Sequence, residues 1–297
     1  MSAIADILRR LSTPLAPEPT GVEPRLPRLD GVRVVLFDVY GTLLVSGSGD
    51  ISLTSGAARG GAATEALSAV GVDLGAHAGR AVVDALHEAI QQSHAESSAA
   101  FPEVDIVRVW QATADRLTGG KLDLPADAAQ QLATEYECRV NPVWPMPGLA
   151  ETLVAIKSAG LPMGIVSNAQ FFTPVALAGF LDPSASAATL AGAGFDERLF
   201  AWSYAERQAK PGPFLYEKVA SELAGRGVQP SGALYVGNDM RNDIWPASRV
   251  GFRTALFAGD ARSLRWRRDD PRVAGVAPDA VVTELPQLLS ILSLAAG

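Results

Sequence analysis

Four short polar clusters in this 297-residue chain carry the side chains suited to chemistry. Asp38 directly follows the apolar run Val32–Phe37, and Ser167-Asn168, Lys210-Pro211 and Gly237–Asp243 follow other apolar runs or lie in the loops after them. A carboxylate fixed at a strand end is a nucleophile that can form an ester intermediate, which splits one difficult step into two. Asp38 is therefore the candidate nucleophile, and the alternative is an aspartate that caps a helix or turn.

A nucleophilic carboxylate needs neighbours that hold its anionic target. Thr42 and Ser167 offer hydroxyl donors, and the backbone N–H groups of the loop at Gly41 add to them. Lys210 supplies a positive charge that lowers the cost of bringing negative charges together. Asn168 either orients the substrate or caps a helix, and the sequence leaves both roles open.

The order and spacing of these clusters resemble those of the haloacid dehalogenase-like superfamily of hydrolases. The first strand with DVYGTLL resembles the first motif of that family, IVSN the second, AKP the third and the GND…ND stretch the fourth. The resemblance covers roughly residues 31–285. It implies a hydrolase that works through an aspartyl ester, with a cap domain inserted between the first two motifs.

The resemblance also points to a metal site. Asp38, the backbone carbonyl of Tyr40, Asp239 and Asp243 would supply the oxygen ligands that Mg²⁺ prefers. Such a metal would neutralise a phosphate and orient it for in-line attack. Asp243 is the better candidate because it aligns with the later aspartate of the fourth motif, and capping of the helix near Ile244 is its alternative role.

Two positions depart from the phosphatase pattern of the family, Tyr40 and Asn238. Family phosphatases carry a second aspartate two residues after the nucleophile, which protonates the leaving alkoxide, but this chain has Tyr40 there. Tyr40 and Tyr216 resemble the dehalogenase branch of the family, whose halide leaving group needs no proton. For Tyr216 the alternative is packing on one helix face. Asn238 stands where phosphatases carry the first acid of the fourth motif.

Three functions stay open on these grounds. The preferred one is a Mg²⁺-dependent phosphatase of a small phosphorylated metabolite, because phosphatases dominate the superfamily and two acids remain in the fourth motif. The second is a 2-haloacid dehalogenase-type hydrolase of a carbon–halogen bond. The third belongs to another class, a non-catalytic binding module with the same fold. The expected partner is a small anionic molecule.

The elements that must position these clusters alternate between two patterns. Short apolar runs, of which the first is rich in β-branched residues, predict strands at Val32–Phe37, Leu161–Val166, Leu199–Ser203, Ala233–Val236, Arg253–Phe257 and Ala280–Val282. Helix-period segments separate them at 149–159, 213–224, 242–250 and 285–294. This alternation predicts an α/β fold with a doubly wound, mostly parallel sheet, in which ligands bind beyond the carboxyl ends of the strands.

Residues 47–145 interrupt the alternation because their apolar residues recur at helical spacing throughout. They predict an α-helical cap between two hinges, one rich in glycine at 46–50 and one rich in proline at 141–148. The core then comprises 31–46 and 146–297, after an N-terminal extension at 1–30 that lies on a domain or hangs free. Arg59, just after the first hinge, is a candidate to bind a substrate carboxylate or phosphate, with a solvated charge as the alternative.

Composition excludes several classes. A hydrophobic fraction of 48% with 19% charged residues excludes a wholly disordered or collagen-like chain. The formal net charge of −7 argues against a nucleic-acid partner, and the single cysteine, Cys138, excludes an internal disulfide. No apolar run reaches the length of about 18 residues that a membrane span needs, and the N-terminus does not fit a signal peptide, so we expect a cytoplasmic protein.

Overall fold

A computed structural model describes residues 3–48, 56–74, 77, 79–183 and 189–294. The strands of this part of the chain are β1 (Val34–Phe37), β2 (Leu44–Ser46), β3 (Val143–Pro145), β4 (Met163–Ser167), β5 (Phe195–Trp202), β6 (Ala233–Gly237), β7 (Arg253–Phe257) and β8 (Ala280–Val282). Six of them form one sheet in the order β5-β4-β1-β6-β7-β8, and every neighbouring pair in it is parallel. The predicted α/β fold class is thus confirmed.

Strand β1 is central in this sheet. It pairs with β4 on one side, where Phe37 is opposite Ile165, and with β6 on the other, where Phe37 is opposite Val236. Since the three strands are parallel and in register, their carboxyl ends lie at one edge of the sheet. The residues that follow them, Asp38 and Asn238 among them, are brought to the same place by this topology alone.

Helices lie on both faces of the sheet, in the inserted segment and in the N-terminal extension. They are α1 (Ala3–Leu11), α2 (Gly56–Val70), α3 (Arg80–Glu96), α4 (Ile106–Thr118), α5 (Ala126–Val140), α6 (Leu149–Ser158), α7 (Phe172–Leu181), α8 (Ser203–Glu206), α9 (Phe214–Gly225), α10 (Trp245–Val250) and α11 (Gln287–Ile291). Val35 and Phe37 pack with α6, α7 and α11, whereas Val34 and Leu36 pack with α9 and α10. Burial of alternate β1 side chains on opposite faces explains why its sequence is an unbroken apolar run.

Several element boundaries differ from the predicted ones. Strand β5 begins at Phe195, four residues before the predicted start, and α7 (Phe172–Leu181) was not among the predicted helices. Helix α10 begins at Trp245 instead of 242, because a five-residue π-helical turn, Met240–Ile244, precedes it. Among the described helices, none combines the length and the apolar character needed to cross a bilayer.

The helices of the inserted segment are α2, α3, α4 and α5, and they enclose an apolar core of their own. Trp110 on α4 and Tyr136 on α5 meet edge to face in this core, with ring centroids 5.4 Å apart. The second hinge is not a free linker, since β3 pairs antiparallel with β2 and places Ser46 opposite Val143. Both connections to the cap therefore run through one two-stranded ribbon.

The described part of the N-terminal extension lies against the rest of the protein. Helix α1 buries Ile7 and Leu8, and Arg10 forms an ion pair with the buried Glu135 on α5. Further along, Arg25 bridges β8 by antiparallel backbone hydrogen bonds with Val281. Of the two arrangements open from the sequence, the structure shows the packed one.

Candidate active site

Asp38 begins the turn after β1, and its backbone N–H donates to the carbonyl of Val236 at 2.9 Å. Its side chain is buried, at 6% exposure. Its Oδ1 atom accepts hydrogen bonds from Ser167 Oγ and from Lys210 Nζ, both at 2.8 Å. The structure therefore brings together three predicted site residues that come from widely separated parts of the chain.

Lys210 links Asp38 to a second carboxylate. Its buried ammonium lies 2.6 Å from Asp243 Oδ1 and 3.3 Å from the hydroxyl of Tyr235. Burial by itself disfavours the charged ammonium, but the carboxylates of Asp243 and Asp38 outweigh it and raise the pKa of Lys210 above its ordinary value. The site thus keeps a fixed positive charge beside the candidate nucleophile.

Asp243 is held at both oxygens. Its Oδ2 atom accepts from the backbone N–H groups of Asn238 and Asp239, at 3.0 and 2.9 Å, and its Oδ1 atom also lies 2.9 Å from the hydroxyl of Tyr235. Burial, with the nearby carboxylates of Asp38 and Asp239, raises the pKa of Asp243 to about 6 against the opposing charge of Lys210. A Cβ atom at Gly237 would lie 2.5 Å from the carboxyl carbon of Asp243, so only glycine permits this closeness.

Asn168 acts on the backbone of Lys210. Its Oδ1 accepts from the N–H of Lys210 at 2.7 Å, and its Nδ2 donates to the carbonyl of Lys210 at 3.2 Å. The amide also lines the cavity above Asp38. Neither predicted role, orienting substrate or capping a helix, describes these bonds, which make Asn168 a positioning residue for Lys210.

The turn after Asp38 is tight. Gly41 has a positive φ of 75°, and a Cβ atom there would lie 2.3 Å from Asn238 Nδ2 and 2.4 Å from Ser263 Cβ. Thr42 follows it in the same turn, and its buried Oγ1 has no hydrogen-bond partner among the described residues. An unsatisfied buried hydroxyl is costly, but Thr42 is not among the residues that line the cavity, so its predicted contact with an anionic ligand stays a prediction.

The two tyrosines of the dehalogenase resemblance lie in different surroundings. Tyr40 lines the cavity, and its hydroxyl lies 2.8 Å from Thr173 Oγ1. Burial raises the pKa of Tyr40 above its ordinary value. Tyr216 is fully buried, donates to the carbonyl of Asn242 at 2.7 Å and packs edge to face on Tyr235. The predicted contact of Tyr216 with substrate is thus not supported, because its hydroxyl braces the loop that carries Asp243.

Arg59 also lies apart from the cavity. It belongs to α2 in the cap, is half-buried, and its Nε has no hydrogen-bond partner in the part of the chain that the structure describes. Its charge lies close enough to Tyr136 to oppose the effect of burial, which raises the pKa of that phenol to about 12. The residues that line the cavity do not include Arg59, so the structure gives no support to its predicted role in binding substrate.

The predicted magnesium ligands are not assembled as one set. Asp239 forms an ion pair with Arg267 at 2.8 Å, and its other oxygen caps the π-helical turn through the N–H groups of Arg241 and Asn242. Asp243 is occupied by Lys210 and by backbone donors. The described residues contain no group of three acidic, histidine or cysteine side chains placed for a metal. These side chains therefore do not fit the four-oxygen site expected from the sequence.

The cavity above Asp38 has a volume of about 410 Å³ and lies between the core and the cap. Its cap side includes Glu103 and Glu137, and its core side includes Arg265 and Arg267 from the loop after β7. Sequence reasoning missed all four. The two glutamates lie outside any motif. The arginines belong to the basic run at 262–272, in which Arg272 pairs with Asp270, whereas Arg267 pairs with Asp239 outside that run.

Glu103 fastens the cap to the core. Its carboxylate accepts hydrogen bonds from Ser203 Oγ at 2.6 Å, from Gln170 Nε2 at 3.1 Å and from the N–H of Val104 at 2.9 Å. Burial nonetheless raises the pKa of Glu103 above its ordinary value. Both of its oxygens are occupied, so its part in the cavity is structural.

Comparisons with known proteins agree with this architecture. A family model described as "Hydrolase: haloacid dehalogenase-like hydrolase" matches residues 32–251. No curated protein matches the chain. A solved 2-haloacid dehalogenase from Pseudomonas syringae pv. Tomato DC3000 aligns with a TM-score of 0.59 at 22% identity, over 88% of this chain and 98% of its own.

A HAD phosphatase from Thermococcus onnurineus also aligns, with a TM-score of 0.51 at 17% identity, over 90% of this chain and 100% of its own. At such identities the likeness shows a shared fold. The two structures carry different activities in their descriptions, so the choice between those activities depends on the residues of the site itself.

Proposed function

Because this chain belongs to the haloacid dehalogenase-like hydrolases, we propose that it hydrolyses the phosphate monoester of a small metabolite through an aspartyl-phosphate intermediate at Asp38. The observation that carries the proposal is the pair of 2.8 Å contacts that Ser167 and Lys210 make with one oxygen of Asp38. The contacts hold the carboxylate in one orientation and leave Oδ2 without a hydrogen-bond partner among the described residues. That oxygen is the nucleophile.

The charges around Asp38 suit a phosphoryl group. Lys210 stays cationic between Asp38 and Asp243, and its field offsets the negative charge that accumulates when a carboxylate attacks a phosphate. The hydroxyl of Thr42 is an unsatisfied donor at the same turn. Arg265 adds a second cation at the cavity wall, and the one hydrogen bond that its guanidinium makes among the described residues is to the carbonyl of Leu264.

A 2-haloacid dehalogenase is the second candidate, favoured by Tyr40 in the sequence D-V-Y-G-T. A halo acid also brings a carboxylate, which a cation on the cap side of the cavity would stabilise and carboxylates there would repel. The cap residues that line this cavity include Glu103 and Glu137, and Arg59 is not among them. The charge on that wall therefore supports the phosphatase over the dehalogenase.

The test is a panel of phosphate monoesters and 2-halo acids, with release of phosphate and of halide both recorded. We expect phosphate release from several monoesters and no halide. Halide release without phosphate would establish the dehalogenase instead. A third possibility, a binding module without catalysis, predicts neither product and no binding of a phosphoryl mimic such as beryllium fluoride, although retention of Asp38, Ser167 and Lys210 in contact argues against it.

Binding of Mg²⁺ is a question separate from the hydrolysis proposed above. We assign no step to the ion, because the carboxylate of Asp239 pairs with Arg267 and that of Asp243 pairs with Lys210. The missing acid is at Asn238, whose Nδ2 donates to the carbonyl of Ser263 at 2.8 Å. We expect Asn238→Asp to create affinity for Mg²⁺, because it adds a carboxylate to the loop beside Asp38. Thermal unfolding with and without Mg²⁺ measures this, since a ligand that binds only the folded state raises the midpoint.

The matched control is Asn242→Asp, the same change in the same loop. We expect Mg²⁺ to raise the unfolding temperature of Asn238→Asp and to leave that of the control and of the unmodified protein nearly unchanged. An equal rise in the unmodified protein would show that the oxygens already present bind the ion, and would contradict this expectation.

A further inference from the structure

Transfer of a phosphoryl group from a substrate to Asp38 requires a proton for the alkoxide that leaves. In-line attack places the leaving oxygen on the side of phosphorus away from Asp38, which is the side that the cap covers. An alkoxide is a poor leaving group unless an acid protonates it. Tyr40 stands in the position of the family's usual acid. Its hydroxyl, however, is hydrogen-bonded to Thr173, and its raised pKa makes Tyr40 a weak acid.

Most other carboxyl groups of the cavity are already engaged. Asp239 is paired with Arg267 and caps a turn, and Asp243 accepts from Lys210 and two backbone N–H groups. Glu103 accepts three hydrogen bonds that fasten the cap. None of these three has a carboxyl oxygen left free to meet a substrate.

Glu137 differs from them. It lies on α5 and lines the cap side of the cavity whose core side contains Asp38. Its Oε1 accepts from Asn141 Nδ2 at 3.2 Å, and among the described residues its Oε2 has no hydrogen-bond partner. Asn141 is itself held by the hydroxyls of Ser46 and Ser48, at 2.7 and 3.0 Å, so the carboxyl group is tied to the ribbon that joins cap and core.

We propose that Glu137 is the catalytic acid and base of this enzyme, an inference that rests on the phosphatase function proposed above. In the first step an Asp38 oxygen bonds to phosphorus, the bond from phosphorus to the leaving oxygen breaks, and the proton of Glu137 passes to that oxygen to give the alcohol. In the second step water attacks phosphorus, its proton returns to Glu137, and the bond to Asp38 breaks, which releases inorganic phosphate and restores both carboxyl groups.

The surroundings of Glu137 suit both steps. Burial raises the pKa of Glu137 to about 7, against the opposing hydrogen bond from Asn141, so both of its forms are populated near neutral pH. The titratable groups near enough to interact with it are Tyr40 from the turn after β1 and Tyr136 and Cys138 from α5 itself. Burial raises the pKa of each of these three, so they stay neutral while Glu137 titrates.

The experiment compares two substrates of nearly the same shape, phenyl phosphate and 4-nitrophenyl phosphate, in Glu137→Gln. Phenolate is the stronger base and needs the proton, whereas 4-nitrophenolate leaves readily without it. We expect the variant to lose about 10²- to 10⁴-fold in kcat on phenyl phosphate and far less on 4-nitrophenyl phosphate. For the unmodified enzyme we expect kcat on phenyl phosphate to decrease as pH rises through about 7, because Glu137 loses the proton that it donates, and the variant should lack this decrease.

Two further variants separate the possible causes. Glu103→Gln makes the same change on the same wall and should leave the ratio of the two rates unchanged, and Glu137→Asp should recover part of the phenyl phosphate rate. If Glu137→Gln leaves the ratio of the two rates unchanged, whether both rates fall equally or neither falls, the role of Glu137 is overturned. Turnover of 4-nitrophenyl phosphate by the unmodified enzyme would still uphold the phosphatase in that case. No turnover of either substrate by the unmodified enzyme would reject the phosphatase itself, and this role with it.

Discussion

The Asp38→Asn variant is expected to lose phosphate-ester hydrolysis by about 10⁴-fold or more, because an amide cannot form the acyl-phosphate bond that divides the reaction into two steps. The loss should appear with activated and unactivated substrates alike, unlike that of Glu137→Gln. Rapid acid quenching followed by intact-mass measurement should find one phosphoryl group on the unmodified protein and none on the variant.

The fold of this variant should survive, since Lys210 keeps Asp243 as its partner at 2.6 Å. The matched control is Asp30→Asn, which alters an exposed aspartate paired only with Arg28 at the surface. That control should retain full turnover. Substantial turnover by Asp38→Asn, or a phosphoryl group on another residue, would place the nucleophile elsewhere.

The Lys210→Met variant is expected to lose both activity and stability. Removal of the buried ammonium leaves the carboxylates of Asp38 and Asp243 without the cation that both contact. Breaking a buried ion pair by removing one partner costs about 3–5 kcal/mol. Urea unfolding of the variant and of the unmodified protein measures this loss in the free energy of unfolding.

The loss in the free energy of unfolding should also depend on pH, and the direction of this dependence follows from the pKa of Asp243. The pKa of this group is already raised to about 6 with Lys210 present, and without the ammonium it rises further. A group that holds its proton more tightly in the folded state makes stability fall as pH rises. The variant should therefore be closest to the unmodified protein near pH 5 and fall increasingly behind it above about pH 6.

Lys218→Met is the matched control for this effect, since Lys218 is partly exposed and pairs with Glu206. It should change stability little and without this pH dependence. A Lys210→Met variant as stable as the unmodified protein at pH 8 would show that the two carboxylates do not depend on the ammonium, and would contradict the electrostatic account of the site.

The sequence by itself determined the sheet and the position of the candidate nucleophile, Asp38. An unbroken apolar run such as Val34–Phe37 indicates a strand buried on both faces, which requires helices on both sides of a parallel sheet. Once the strands are parallel, residues at their carboxyl ends must meet, and Asp38, Ser167 and Lys210 do so. The spacing of apolar residues and the positions of polar residues along the chain were sufficient to predict the sheet and the meeting of these side chains at its edge.

Which charged groups pair was decided only by the tertiary structure. Asp239 contacts Arg267, 28 residues away, because the loop after β7 runs beside the loop after β6. The two loops are joined by backbone hydrogen bonds from the N–H of Met240 to the carbonyl of Arg265 and from the N–H of Arg265 to the carbonyl of Asn238. Tyr216 turns into the core for a related reason, because its face of α9 packs against the sheet. Sequence spacing shows neither contact, since each depends on the direction of a side chain in space.

The cap shows most clearly that sequence spacing does not reveal contacts between distant parts of the chain. Its helices follow from apolar periodicity, but the helix that presents a carboxyl group to the cavity depends on how the cap sits over the sheet. Pairing of β2 with β3 sets that arrangement and brings Glu137 to the wall of the cavity above Asp38. Local pattern specifies elements and their buried faces, whereas the contacts between two separately packed cores arise only when both have folded against each other.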